Sequence, residues 1–269
     1  MKNFRDRKEG QAPSTPENVI YGRHPVVEAI NAGQRLEKVY LLQGTQGELE
    51  KELRILCRDK DIPLVMVPRE KLSKLGKGLD YQNHQGVVAV LPLIEYQLLQ
   101  DILPTILENK EEQALFMILD GVTDVRNFGA IARSAEAAGV HAIIISQKQA
   151  APVNGEAMKA SSGAINNIPI CREKSLTKAI ELLMENNIQI VAADVEGFSS
   201  LPDVDFNQPT AVIMGAEGEG INRAYLRKSS KRFQIPMKGK TASYNVSVAA
   251  GIILYESLRQ RQIKLSTPQ

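Results

Sequence analysis

From residue 114 onward, short continuous apolar runs alternate with stretches of helical periodicity. The runs at 115–119, 142–146, 188–193 and 211–214 read as strands buried on both faces, because almost nothing in them alternates with polar residues. Helices are predicted between them at 128–138, 175–186 and 246–261, where apolar residues return at three- and four-residue spacing. Strand and helix in alternation is the sequence form of an open, mostly parallel sheet covered on both sides. Residues 19–93 carry a smaller α/β pattern, with helices near 24–32 and 48–60 and strands at 38–42, 63–67 and 86–91. In the second of these helices Leu53, Leu56 and Cys57 fall on one face. A polar, Pro-containing tail is expected over 1–18, and a linker holding a helix over 94–113, which leaves 114–269 as the larger domain.

Composition narrows the class without naming it. A length of 269 residues with 43% hydrophobic content suits two ordinary domains or one large one. Cys57 and Cys171 are far apart and form no C-x-x-C pair, so neither a disulfide framework nor a zinc site is indicated. No run reaches the ~18 apolar residues of a membrane span, and a cytoplasmic location is the default expectation. The net charge of +2 does not announce a polyanion partner, but its distribution is uneven. Between Asn222 and Tyr244 there are seven basic residues and no acidic one. Such a run is either a solvated surface or a phosphate-contacting one.

Candidate chemistry is concentrated where the apolar runs end. After the first comes Asp120…Asn127-Phe-Gly129-Ala-Ile-Ala-Arg133; after the fourth comes Met214-Gly215-Ala-Glu217-Gly218-Glu-Gly220-Ile-Asn222. The third group is Ile235-Pro-Met237 followed by Ser243-Tyr244-Asn245-Val-Ser247. Asn127, Ser243 and Asn245 are residue types that cap helices, and Asn127 is predicted to be the cap of the helix that follows it. Arg133 has no such role: it lies in a helix otherwise built from Ala and Ile, where small neighbours let it approach a ligand. The glycine loop at 215–220 is not a phosphate loop, because the position five before Gly239-Lys240-Thr241 is Gln234. Nor do its glycines have dinucleotide-binding spacing. A nucleotide-dependent hydrolase or dehydrogenase is therefore disfavoured. The loop is either a plain turn or a backbone cradle for a polar ligand, with Glu217 orienting a cation such as Arg133.

These three motifs, in this order and at this spacing, resemble those of the SpoU (TrmH-type) RNA ribose 2′-O-methyltransferases. Tyr21-Gly-Arg-His24-Pro and His84-Gln-Gly86-Val-Val-Ala are further similar to the substrate-binding domain of the subgroup that methylates a guanosine ribose in large-subunit ribosomal RNA. The resemblance implies a C-terminal SPOUT domain with a parallel sheet and a trefoil knot, and an N-terminal α/β RNA-binding domain. It implies S-adenosylmethionine held mainly by the backbone of Gly215, Ile235 and Tyr244, with Gly218, Gly220 and Met237 in the same loops. It also implies a homodimer, no metal, and a catalytic set of Asn127, Arg133, Glu217, Ser243 and Asn245. One position departs from the family pattern: Tyr244 stands where Leu is common. The favoured target is a guanosine of 23S ribosomal RNA; a transfer RNA ribose or another ribosomal nucleotide, including one whose methylation confers resistance, is the alternative within the same chemistry, and the N-terminal domain argues against the short transfer-RNA enzymes. A catalytically idle RNA-binding module is the reading from a different class.

Overall fold

The structure is a computed structural model that describes residues 18–75, 84–109, 112–216 and 218–266. The expected tail over 1–18 lies outside the described residues except for Asn18, as does most of the polar stretch at 76–85. Two compact units divide between Leu93 and Ile94.

The first unit is built on a four-stranded sheet of β1 (Val19–Tyr21), β2 (Lys38–Leu42), β3 (Leu64–Val67) and β4 (Val87–Val90), in the order β1-β4-β2-β3. Its helices are α1 (Arg23–Asn31), α2 (Glu48–Asp59) and α3 (Arg69–Leu75). Alternation along the strands sorts the two faces. Val39, Leu41, Val87 and Ala89 pack under Val26 and Ile30 of α1 and Leu53 and Cys57 of α2. Val67 and Val88 face Leu72 of α3 on the other side. The short edge strand β1 is not evident from sequence, since three residues carry no usable period. Of the basic residues along α2, Arg54 pairs with Glu50 at 2.8 Å and Arg58 with Asp59 at 3.3 Å, so that face is largely self-neutralised.

The second unit is a seven-stranded sheet in which every neighbouring pair is parallel, in the order β7-β6-β5-β10-β8-β11-β9. Its strands are β5 (Leu115–Asp120), β6 (Ala142–Ser146), β7 (Ile170–Glu173), β8 (Gln189–Ala193), β9 (Ser199–Ser200), β10 (Thr210–Gly215) and β11 (Lys231–Gln234). The helices are α4 (Leu99–Glu108), α5 (Val125–Ala137), α6 (Gly155–Ala160), α7 (Leu176–Glu185), α8 (Arg223–Leu226) and α9 (Val246–Ser266). The continuous apolar runs have the origin the sequence suggested. On β5, Leu115, Met117 and Leu119 enter the core beneath α5, α6 and α9, while Phe116 and Ile118 enter the core beneath α4 and α7. The apolar residues of β6, β8 and β10 divide in the same way, Ile143, Ile145, Val191, Val212 and Met214 into the first core and Ala142, Ile144, Ile190, Ala192, Ala211 and Ile213 into the second.

Several boundaries differ from the sequence reading. Helix α5 begins three residues earlier than predicted, and its cap is Asp124, whose carboxylate accepts from the backbone N–H groups of Arg126 and Asn127. Asn127 therefore lies inside the first turn and is not the cap. An Asp and an Asn three apart both satisfy capping rules, and only the strand-to-helix path selects between them. Strands β7 and β9 and the six-residue helix α6 are too short for their periods to register. The segment at 94–113 carries α4, whose Leu99 and Leu103 are buried in the second unit's core. Gly129 has a packing reason: a Cβ there would sit 2.6 Å from Ala160 Cβ and 2.7 Å from the Ala157 carbonyl, so α5 and α6 cross in backbone contact.

Candidate active site

Strand order decides where the site lies. Late strand β10 is inserted between β5 and β8, and all strands point the same way, so their carboxyl ends meet on one edge. In open parallel sheets that edge is where ligands bind. A cavity of about 320 Å3 opens there, walled by Ala193 at the end of β8 and Asp194 after it, Met214 and Gly215 at the end of β10, and Phe233 and Gln234 of β11. Its volume is near the lower end of the range typical for small-molecule pockets, ~300–1,000 Å3.

All six candidate cofactor residues line this one cavity: Gly215, Gly218, Gly220, Ile235, Met237 and Tyr244. They come from two loops more than ten residues apart in sequence, brought together because β10 and β11 flank β8. Gly215 is demanded by close approach, since a Cβ would overlap the backbone of Gly220. Gly220 N–H donates to the Ala216 carbonyl at 3.0 Å, which folds the loop back on the strand end. The walls are thus mainly backbone and apolar side chain, with Asp194 the carboxylate among the described lining residues. That is a fit for a flat heteroaromatic ligand with a few polar groups. Tyr244 lines the cavity and is 40% exposed, so the residue is not buried within it.

The four proposed catalytic residues that are described divide into three groups. Ser243 lines the cavity. Asn127 and Asn245 form a pair: Nδ2 of Asn245 donates to Oδ1 of Asn127 at 3.0 Å. Asn245 also caps α9, its Oδ1 accepting from the Ser247 N–H at 3.0 Å and from the Ser247 hydroxyl at 2.6 Å. Arg133 is exposed on α5 and is not in the cavity wall. It stands roughly 9 Å further along the helix axis than Asn127. Glu217 lies outside the described residues, and with it the expected pairing with Arg133.

Two carboxylates with no role assigned from the sequence stand at the strand ends: Asp194 in the cavity wall, and Asp120 opposite Gly215 in the register of β5 and β10. Oδ2 of Asp120 accepts from the Asn222 N–H at 2.8 Å, tying the end of β5 to the far end of the glycine loop. Burial pushes the Asp120 carboxyl up from its ordinary value; the Asn222 hydrogen bond pulls it partly back and the negative charge of Glu219 adds to the rise. Asp194 is held by Arg232, whose Nε and Nη2 lie 3.0 and 2.7 Å from its Oδ2. Each Asp directly follows or ends a buried apolar run, which is the signal that could have found both.

The SpoU rRNA Methylase family matches residues 114–255, and the RNA 2′-O ribose methyltransferase substrate-binding family matches 19–97. The chain is 34% identical over 248 residues to YacO of Bacillus subtilis (strain 168), named for the TrmH family tRNA/rRNA methyltransferases, covering 92% of this chain and 98% of that one. It is 36% identical over 248 residues to the 23S rRNA (guanosine-2′-O-)-methyltransferase RlmB of Yersinia pestis, covering 91% and 98%. Among solved structures it is similar to the SpoU methyltransferase AviRb from Streptomyces viridochromogenes in complex with AdoMet, with a TM-score of 0.58, 26% identity and coverage of 91% and 90%. Likeness of this extent, running through both units and across the strand ends that wall the cavity, means that the chain belongs to the SpoU (TrmH-type) RNA 2′-O-ribose methyltransferase family.

Proposed function

We propose that this protein methylates a ribose 2′-hydroxyl of RNA, that the cavity at the carboxyl ends of β8, β10 and β11 holds S-adenosylmethionine, and that the target is a guanosine of 23S ribosomal RNA. The observation that carries the reading is the convergence of Gly215, Gly218, Gly220, Ile235, Met237 and Tyr244 on one cavity. The named activity of the Yersinia pestis relative supports the choice of target. The N-terminal unit is the RNA-binding domain in this reading, and the cytoplasm is the compartment that supplies the substrate. The loops at 216–222 and 235–245 are those of a trefoil knot.

When bound, the cofactor supplies an electrophilic methyl group on a sulfonium, which needs no metal to leave. The protein's task is then to position the hydroxyl and to exclude water. Backbone groups of Gly215, Ile235 and Tyr244 hold the cofactor. Ser243 and the Asn127–Asn245 pair orient the ribose. Guanidinium groups stay protonated in proteins, so Arg133 does not accept the hydroxyl proton, which passes to solvent water as the 2′-oxygen is methylated. It grips the neighbouring phosphate and stabilises charge developing on the 2′-oxygen, with Glu217 setting its orientation. Arg133 stands outside the cavity wall, and the neighbouring helix α9 exposes Val248 and Tyr255, at 50% and 69%. Both features favour a homodimer in which this face meets a second copy and the guanidinium is brought to a cavity.

The test is isotope-labelled S-adenosylmethionine incubated with the protein and unmodified 23S ribosomal RNA, and separately with transfer RNA, followed by mass-spectrometric mapping. Label on one guanosine ribose of the ribosomal RNA is the expected result. Label on transfer RNA alone keeps the chemistry and overturns the target. No label, with no binding of S-adenosylhomocysteine, overturns the enzyme assignment.

A further inference from the structure

Four phenylalanines of the second unit, Phe116, Phe128, Phe206 and Phe233, are fully buried, whereas Phe198 is 91% exposed. It is not on a loose tip. The turn that presents it runs from Asp194, whose carbonyl accepts from the Gly197 N–H at 2.9 Å. Gly197 is pressed against β11: a Cβ there would lie 2.6–2.8 Å from the backbone of Phe233. The Asp194 N–H donates to the Phe233 carbonyl at 2.8 Å, and the Glu196 N–H to the Asp194 carboxylate at 3.1 Å. The corner is thus fixed at both ends, and its other apolar member, Val195, is 59% exposed while lining the cavity.

A cation is already placed on the ring. The guanidinium carbon of Arg232 lies 5.5 Å from the Phe198 centroid, and the Asp194 carboxylate holds that guanidinium in a two-pronged grip. A line of contacts therefore runs from the cavity wall through Asp194 and Arg232 to an open aromatic face.

We propose that Phe198, backed by Arg232, is a stacking platform for one unpaired base of the substrate RNA beside the nucleotide being methylated. This rests on the function proposed above and adds to it a specificity element outside the cofactor loops. Unpaired bases are gripped on aromatic rings and on guanidinium planes, and a prearranged pair offers both. Size favours a base over a protein. Val195 and Phe198 make a patch of two side chains, far short of the ~800 Å2 per partner of a stable protein interface. Charge favours RNA as well: exposed Arg223, Arg227, Lys238 and Lys240 belong to the acid-free segment that contains Arg232.

The experiment compares the full-length protein with Phe198→Ala and Phe198→Trp. Equilibrium binding of unmodified 23S ribosomal RNA is followed by fluorescence anisotropy, S-adenosylhomocysteine binding by calorimetry, and association state by sedimentation. Phe198→Ala weakens RNA binding roughly 5- to 100-fold, as expected for loss of one stacked base, and Phe198→Trp retains it. The S-adenosylhomocysteine Kd stays within about twofold and sedimentation is unchanged. Unaltered RNA affinity in Phe198→Ala overturns the platform. So does a shift in sedimentation, which assigns the ring to a contact between copies. Because RNA binding is read without turnover, wild-type protein that binds RNA but transfers no methyl group sinks the proposed activity while leaving the platform to stand or fall by the two variants.

Discussion

Asn245 reaches across 118 residues of chain to place its amide nitrogen 3.0 Å from the amide oxygen of Asn127. Its own oxygen is engaged in capping α9, so the amide is fixed at both ends. The two partners are thereby separable. Asn245→Ala removes a helix cap and should lower stability by about 1 kcal/mol. Asn127→Ala removes no cap, and should leave the melting temperature near that of the parent while lowering turnover. Thermal melts of the two variants beside methyl-transfer rates check this; equal losses of stability would show that Asn127 is structural.

Gly215 has no room for a side chain. In Gly215→Ala the new Cβ meets the Gly220 backbone, which is itself bonded to Ala216, so the whole loop must move. Overpacking of this kind costs about 1–3 kcal/mol. The S-adenosylhomocysteine Kd should rise at least about tenfold, while the RNA affinity of the N-terminal unit is unaffected. A calorimetric Kd equal to that of the parent would remove this loop from the cofactor site.

Asp120 should make stability depend on pH in an uncommon direction. Burial raises its carboxyl pKa in the folded protein above the unfolded value. The folded state then binds the proton more tightly, so this group adds stability as pH falls through its raised value. The usual salt-bridged carboxylate does the reverse. Asp120→Asn keeps an acceptor for the Asn222 N–H without the titration. The melting temperature of the parent relative to Asp120→Asn should therefore climb as pH is lowered from about 7 towards the raised value. A difference that is flat or falls over that interval contradicts burial as the dominant influence.

In the proposed reaction Arg133 acts by the planar fork of its guanidinium. Arg133→Lys retains the charge and loses the paired donors, so turnover should fall about tenfold or more with little change in S-adenosylhomocysteine binding. Retention of most of the turnover would mean that a point charge suffices.

Much of this protein is legible along the chain, for a local reason. Burial on both faces leaves almost no polar residue in β5, β6 and β10, so those strands and the parallel class announce themselves; the glycine loop and the Ser243–Ser247 stretch stand out because ordinary elements do not need them. Strands β1, β7 and β9 were not legible, since two to four residues complete too little of any period. Asn127 was misplaced as a cap because Asp124 satisfies the same chemistry one turn earlier. Residue types along the chain are enough to show which of them can wall a backbone-lined pocket. That they wall the same one is a property of the folded sheet, in which β10 enters between β5 and β8 and brings the ends of distant strands to a common edge. The pairs Asp120–Asn222 and Asn127–Asn245, and Asp194–Arg232 across neighbouring β8 and β11, each join separate segments, and no periodicity within a segment encodes a contact between segments 38 to 118 residues apart.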